Sequence, residues 1–493
     1  MSRRTTFLVA GPLLGVLAAT LPVAGLTLEQ RLVLGITVWT AAWWVTEPIP
    51  IPITSLLPAI LLPVCGIVSA KAAAQYYSHH LILLGGFFIA QAIERWGLHK
   101  RIALTVIAFV GGGPSRLVLG FATASAVLSM WISNTATALM LVPIAMSVVH
   151  RIGRDDPDGP TTSRFATCLL LAVAYGANVG GVGSLIGTPP NLIFASALPR
   201  VPGYALSVDF RSWLVFGLPV VISFVPIVVW VLRRGLPPAV GLAEEGGREL
   251  IVDERRRLGR MTGSEKRVLV VFVATALLWI GKGGEGVPGW SHLFVWLGAV
   301  DEARLDQHVT DSLVALVMAM TLFVLPSAEK DRRPLLEWRD VERVPWGMLF
   351  LFGGGFAIAG AFQETGLSAW IGGLLSRVLE LPRPLLIAVS ALGVTFLTEV
   401  TSNTATTNIL MPILSAAAVE GGVHPLVLML PAVIAVSFAF MLPVATAPNA
   451  IVFATGRVPI ITMIRTGFIL NLIGTVIVLL VCWFIALPYF GAS

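Results

Sequence analysis

Charge is scarce in this sequence: 12% of its 493 residues are charged, against 56% hydrophobic, and the mean hydropathy is +0.86. A soluble domain carries roughly a quarter of its residues as Asp, Glu, Lys and Arg. A water-exposed globule is therefore excluded, and a polytopic α-helical membrane protein is implied. Short alternating segments are missing too, which excludes a transmembrane β-barrel. Cysteine is nearly absent. Cys65, Cys168 and Cys482 lie far apart in apolar surroundings and support neither a disulfide framework nor a thiolate metal site. The seven histidines fall mostly in loops or at the ends of apolar runs, and His79-His80 has no matching ligand set. No HExxH, P-loop or nucleophile elbow is present, so a membrane enzyme would lack a chemical centre. A GxGxxG match from Gly281 to Gly286 follows no strand and sits in no βαβ unit, and is set aside. The net charge of +6 comes without a basic patch interleaved with aromatics, so no nucleic-acid partner is indicated. Such an excess instead reflects basic cytoplasmic loops.

What is present is a duplication. Ser133-Asn134-Thr135-Ala136-Thr137 recurs letter for letter as Ser402-Asn403-Thr404-Ala405-Thr406, 269 positions on. At the same offset Leu141, Pro143 and Ile144 repeat as Leu410, Pro412 and Ile413, Gly85-Gly86-Phe87 as Gly354-Gly355-Phe356, and Gly97-Leu98 as Gly366-Leu367. A further pair, Thr188-Pro189-Pro190-Asn191 and Thr446-Ala447-Pro448-Asn449, repeats at 258. Internal repeats in a membrane protein point to a central site between the two copies.

Hydropathy places a first span at Thr5–Leu26, taken as an uncleaved helix because a second span, Arg31–Val45, follows at once. The prolines of Pro48-Ile49-Pro50-Ile51-Pro52 force a tight re-entry into a third span, Ile53–Val68. Further spans are expected at His80–Ile93, Thr167–Ala197, Trp213–Leu232, Arg267–Ile280, Asp311–Leu325, Trp346–Phe362, Leu426–Phe453 and Ile460–Leu487. Pro114–Val149 and Pro384–Ala418 are too long for one span of ~20 residues, and each carries an SNT triplet near its middle. Each reads as a re-entrant helical hairpin with the triplet at its tip, since irregular backbone at membrane depth must be buried in protein or line a water-filled cavity. The TPPN and TAPN segments interrupt long apolar helices, giving two broken helices. The polar stretch Arg233–Glu265 reads as a solvated linker between the repeats. With the N-terminus in the cytoplasm, 25 of the 33 Lys and Arg fall on cytoplasmic loops. That orientation sends the first hairpin in from the cytoplasm and the second from outside, so the repeats are inverted. The expected fold is all-α, with about 11 transmembrane helices as two inverted repeats. Its parts are scaffold helices at 1–113, a first transport half at 114–234, a cytoplasmic linker at 235–264, second-repeat scaffold helices at 265–383 and a second transport half at 384–493.

The four motifs offer hydroxyl, amide and carbonyl groups in an apolar setting. Broken helices present amide ends that suit carboxylates and carbonyl ends that suit a small hard cation. None of the motifs contains Lys or Arg. A dianionic cargo then needs another source of positive charge, and bound Na⁺ supplies it while coupling cargo to sodium. Ser, Thr and Asn also glue transmembrane helices together, but two mirrored copies, each followed by a proline-broken helix, argue against that plainer role. Glu399, whose counterpart is Met130, is an intramembrane carboxylate and a functional candidate. Glu47, beside the proline-rich turn, reads as interfacial.

Paired SNT motifs with paired TPP-like breaks resemble the divalent anion/sodium symporter family, the family of the Na⁺/dicarboxylate cotransporters, over nearly the whole chain. The resemblance implies one sodium site at Ser129, Ser133, Asn134 and Gly187, and a second at Thr398, Ser402, Asn403 and Ala445. It implies that substrate carboxylates meet Asn134, Thr135 and Thr188 from one half and Asn403, Thr404 and Thr446 from the other. Ala447, standing where the first half has Pro189, departs from the pattern and bears on substrate preference. The resemblance also implies a homodimeric scaffold against which transport domains move as an elevator in the lipid bilayer. The expected function is Na⁺-coupled symport of C4-dicarboxylates across a bacterial inner (plasma) membrane, with a multi-pass chain. Rivals are a Na⁺-independent dicarboxylate exchanger, a carrier of sulfate or citrate, and an anion channel, which would show unsaturable currents.

Overall fold

A computed structural model describes residues 3–492 except 24, 79–83, 112, 154, 155, 157, 205, 236–243 and 284–286. His79-His80, the start of the expected span at His80, the middle of the linker and the end of the GxGxxG match lie outside the described residues. Among those described the chain is helical and forms no β-strand, only an isolated bridge between Pro326 and Pro334. Among the described residues five helices are long and apolar enough to cross a membrane: Asn134–Ile152, Pro160–Gly183, Phe210–Arg233, Gly347–Thr365 and Ile460–Tyr489.

The helix from Pro160 is the axis of the bundle. Its apolar window is buried on every side, as expected of a helix surrounded by protein. It packs along Pro114–Ser129 through Gly176 and Gly180, a small-xxx-small spacing that lets backbones approach closely. A Cβ on Gly180 would lie 2.2 Å from the Ala126 carbonyl oxygen, and one on Gly176 would lie 2.5 Å from that of Ala122. Gly180→Leu is expected to cost at least ~1–3 kcal/mol by overpacking, lowering the Tm of the detergent-solubilised protein by several degrees. An unchanged Tm would show that this contact is not tight.

The two segments around the SNT triplets are each a pair of helices joined at the triplet. Pro114–Ser129 and Asn134–Ile152 flank the first; Arg383–Thr398 and Asn403–Glu420 flank the second. Proline at the first turn fits both entry arms, where the missing N–H has no helical partner. The broken helices run Pro160–Gly180 then Pro189–Ala197, and Leu426–Ala435 then Ala447–Ala454. The repeated Gly-Leu pair also acquires a structural meaning. Gly97 and Gly366 have φ of +69° and +70°, and each turns the chain from one helix into a following helix of 13 residues, Leu98–Val110 and Leu367–Leu379. A side chain disfavours that left-handed backbone, so glycine is needed in both copies.

Two expectations are corrected. Ile53–Val68 is not one continuous helix: Ile51–Thr54 and Leu57–Val64 are short helices interrupted at Ser55 and Leu56. Pro52, Pro58 and Pro63 withhold backbone donors there. Ser55 is bound instead to its surroundings, its hydroxyl accepting from Trp44 Nε1 at 2.9 Å and its carbonyl accepting from the Tyr77 hydroxyl at 2.6 Å. The linker, in its described part, is not a solvated coil. Its helix Glu244–Arg257 rests on Leu98–Val110 and on Asn134–Ile152, with Ile251 buried beneath it. Arg101 fastens the helix's C-terminal end, donating to the Leu258 and Gly259 carbonyls and pairing with Glu265 at 3.0 Å.

Candidate functional site

Both tips and both breaks line one cavity of about 610 Å³. Ser133, Asn134 and Thr135 face it from the first tip, and Ser402, Asn403 and Thr404 from the second. Gly187 and Thr188 come from the first break, and Ala445 and Thr446 from the second. Ten of the twelve residues expected at the site thus line one cavity. The other two, Ser129 and Thr398, are buried behind it, each hydrogen-bonded to the asparagine of its own tip.

The local sequence explains the convergence. Each SNT serine and each break threonine is the N-cap of the helix that follows, held in extended backbone where the next residue turns helical. Ser133 accepts from the Ala136 amide at 3.1 Å, and Thr446 from the Asn449 amide at 3.4 Å. Four helix N-termini therefore end on the cavity, each with roughly half a positive charge, and the two tips bring first-turn amides, whereas Pro189, Pro190 and Pro448 carry no N–H. Ala447, in place of Pro189, leaves the register intact, because both short helices begin one residue after the threonine.

Behind the tips lie helix C-termini, which leave carbonyl oxygens. In the first half, the Ser129 hydroxyl donates to Asn134 Oδ1. Gly187 is wedged against the same place: a Cβ there would sit 2.5 Å from the Gly181 carbonyl oxygen and 2.9 Å from that of Ser129. In the second half, Thr398 Oγ1 lies 2.5 Å from Asn403 Oδ1 and 3.1 Å from the Val436 carbonyl. Both recesses are built of hydroxyl, amide and carbonyl oxygens, the donor set that suits a small hard cation such as Na⁺.

A sodium:sulfate symporter family model, described as its transmembrane region, matches residues 4–489. The chain belongs to this family. Among its relatives, the sodium-dependent dicarboxylate transporter SdcS of Staphylococcus saprophyticus is 38% identical over 492 residues, covering 98% of this chain and 92% of that protein. SdcS of Staphylococcus aureus (strain bovine RF122) is 39% identical over 487 residues, with 97% and 90% covered. The divalent anion/sodium symporter resemblance carried by the SNT pairs is therefore correct, and the family's members are transporters, not enzymes. Two solved structures share the fold at low identity. The Alcanivorax borkumensis YdaH transporter gives a TM-score of 0.58 at 16% identity, with 100% of this chain and 99% of that chain covered. Neisseria gonorrhoeae MtrF gives 0.54 at 15%, with 98% and 95% covered.

Several residues that shape the cavity are not among those the motifs single out. Asn191 donates to the Gly181 and Ser184 carbonyls at 2.9 and 2.8 Å; Asn449 donates to those of Ala439 and Leu442 at 2.9 and 3.1 Å. The bonds match at the same offset of 258 as the motifs, so each terminal Asn of TPPN and TAPN clamps its own unwound segment. Asn178 then crosses between halves, donating to Thr446 Oγ1 and Asn449 Oδ1 at 3.2 Å. Glu399 belongs to the second break. Its carboxylate accepts from the successive amides of Phe440, Met441 and Leu442 at 2.8, 2.9 and 3.0 Å, and from Asn471 at 2.8 Å. A concavity of backbone amides of this kind favours an anion. In the first half Met130 replaces it, and the Ser184 hydroxyl ties the break to the Met130 carbonyl instead. Among the described residues, only the second half thus carries a buried carboxyl group beside its recess. Glu47, expected at the interface, lines the cavity.

Proposed function

We propose that this chain is a Na⁺-coupled symporter of C4-dicarboxylates such as succinate, fumarate and malate. The observation that carries the proposal is the meeting of four helix N-termini on one cavity whose tips and breaks contain no Lys or Arg. Amide ends from opposite sides suit the two carboxylates of a short diacid, through Asn134, Thr135 and Thr188 and through Asn403, Thr404 and Thr446. Their partial charges are balanced by the carbonyl ends close behind, so a desolvated dianion still lacks counter-charge. Na⁺ in the two recesses, at Ser129, Ser133, Asn134 and Gly187 and at Thr398, Ser402, Asn403 and Ala445, supplies it. Each Asn then serves cation and cargo together, and that shared ligand is the coupling. The names of the staphylococcal relatives agree with this reading.

Further parts of the reading are topological. The chain forms about 11 spans as two inverted repeats, with re-entrant hairpins and a cytoplasmic N-terminus in the plasma membrane. Residues 114–234 and 384–493 form the transport domain. It moves as an elevator against a dimeric scaffold of residues 1–113 and 265–383, and residues 235–264 link the halves on the cytoplasmic side.

Uptake of labelled succinate into proteoliposomes tests the core claim. An inward Na⁺ gradient should drive accumulation, and Li⁺ or choline should not. Exchange that persists without Na⁺ would replace symport with antiport. Competition by sulfate or citrate, with none by fumarate or malate, would replace the cargo. Ser129→Ala and Thr398→Ala each remove one hydroxyl from a recess, worth ~1 kcal/mol or more. Each should raise the Na⁺ concentration for half-maximal uptake about 3- to 10-fold, and an unchanged Na⁺ dependence would remove that residue from its site.

A further inference from the structure

Arg343 is the one cationic side chain among the described residues lining the cavity; Glu47 and Glu94 are its acidic companions. It lies on a fixed turn. The preceding short helix, Trp338–Val341, is capped reciprocally by Glu337 and Asp340, and Arg95 binds both of those carboxylates. Val341 and Val344, on either side of Arg343, are buried, and Trp346 Nε1 donates to the Val341 carbonyl at 2.9 Å. Arg95 and Arg339 are both committed to Glu337. Arg343 is exposed and makes no ion pair among the described residues, while its charge acts on the Glu94 carboxyl. Glu47, which lines the cavity with it, is followed by Pro48, whose carbonyl accepts from Arg4 near the N-terminus at 2.9 Å.

We infer that Arg343 is a capture residue for the dicarboxylate at the cytoplasmic mouth, binding one carboxylate of cargo passing between the tips and the cytoplasm. The inference rests on the carrier reading above and on its orientation. The tips hold a dianion only together with Na⁺. When Na⁺ leaves toward the low-sodium side, the diacid loses its counter-charge inside a cavity walled by protein. Arg343 supplies positive charge on the way out, and equally on the way in for cargo bound from the cytoplasm. Glu94 and Glu47 reduce the net field of the mouth, so the hold is weak enough for release. A charge at a cleft mouth acts mainly on encounter rate, and its influence falls as salt rises.

The test compares right-side-out with inside-out membrane vesicles, measuring initial rates of labelled succinate uptake at fixed saturating Na⁺ for wild type, R343Q, R343K and the exposed-loop control K330Q. R343Q is expected to raise the KM for succinate about 3- to 10-fold in inside-out vesicles and to leave it unchanged in right-side-out ones. R343K should restore most of the loss, K330Q should behave as wild type, and choline chloride should shrink the difference between wild type and R343Q. An equal KM for wild type and R343Q in inside-out vesicles overturns the inference and leaves the carrier reading standing; so does the same shift in both orientations, or in K330Q. If wild type shows no Na⁺-dependent uptake in either orientation, the carrier reading falls and this inference falls with it. Wild type alone gives a second readout: its KM should rise with ionic strength from the cytoplasmic side only, and equal salt dependence on both sides counts against Arg343.

Discussion

Asn134→Ala should cut Na⁺-driven dicarboxylate uptake at least about tenfold, and Asn403→Ala should do the same, because each removes a hydrogen bond to a charged group worth roughly 1.5–3 kcal/mol. Each asparagine is the first residue of a helix that ends on the cavity, so its side chain stands between the recess behind and the space in front. Behind it, its Oδ1 is bonded to Ser129 or Thr398. Alanine removes that oxygen from the recess and the amide from the cavity in one step. Both the Na⁺ and the substrate dependence should therefore worsen together, which loss of a purely structural contact does not require. The fold should survive, since both asparagines are only half-buried and alanine is a good first-turn residue. The check is succinate and Na⁺ titration in proteoliposomes, with elution of the solubilised variants as the control. A variant that shifts only the substrate KM would separate cargo from cation at that tip and undo the coupling argument. Wild-type kinetics in either variant would undo the site.

The site is more legible in the sequence than the fold around it, for physical reasons. An identical polar pentapeptide inside two apolar segments is costly unless it is bound, so its position marks the cavity before any coordinates exist. The break motifs carry the same logic through proline. The break at Ser55 is hidden because prolines near helix starts are tolerated, and hydropathy alone reads Ile53 to Val68 as one run. The linker helix is hidden because its many Arg and Glu residues suggest solvent, while the docking rests on Ile251 and on the distant Arg101. Asn191 and Asn449 repeat in register, so their importance is visible; their action on carbonyls seven and ten residues earlier is not. Arg343 has no signal at all. It is a loop arginine among several, and only the folded chain separates it from Arg95 and Arg339, which are paired.

The sharpest test of the first recess needs only one methyl group. Gly187→Ala should raise the Na⁺ requirement more than tenfold or abolish Na⁺-driven uptake, because the added Cβ would meet the Gly181 carbonyl oxygen at 2.5 Å and that of Ser129 at 2.9 Å. Both are backbone atoms at helix ends, so neither moves aside as a flexible side chain does. Either the methyl occupies the space among the oxygens, or the break shifts and the oxygens separate, at a cost of ~1–3 kcal/mol. A small cation held by close-set oxygens loses its site either way. Gly187 does not need glycine for its backbone, as it is absent from the positive-φ glycines, so the effect is steric and local. The second half supplies the contrast. Ala445 already carries a methyl at the matching position, and there the Glu399 carboxyl accepts from three successive amides of the break. Ala445→Gly should therefore alter Na⁺ dependence far less than Gly187→Ala. Gly373→Ala, where a Cβ would meet nothing within 4 Å, should change nothing and serves as the control for glycine replacement. Na⁺ titration of uptake in the three variants decides the matter. If Gly187→Ala keeps the wild-type Na⁺ dependence while remaining folded, no cation sits at that break, and the charge that accompanies the diacid must enter from elsewhere.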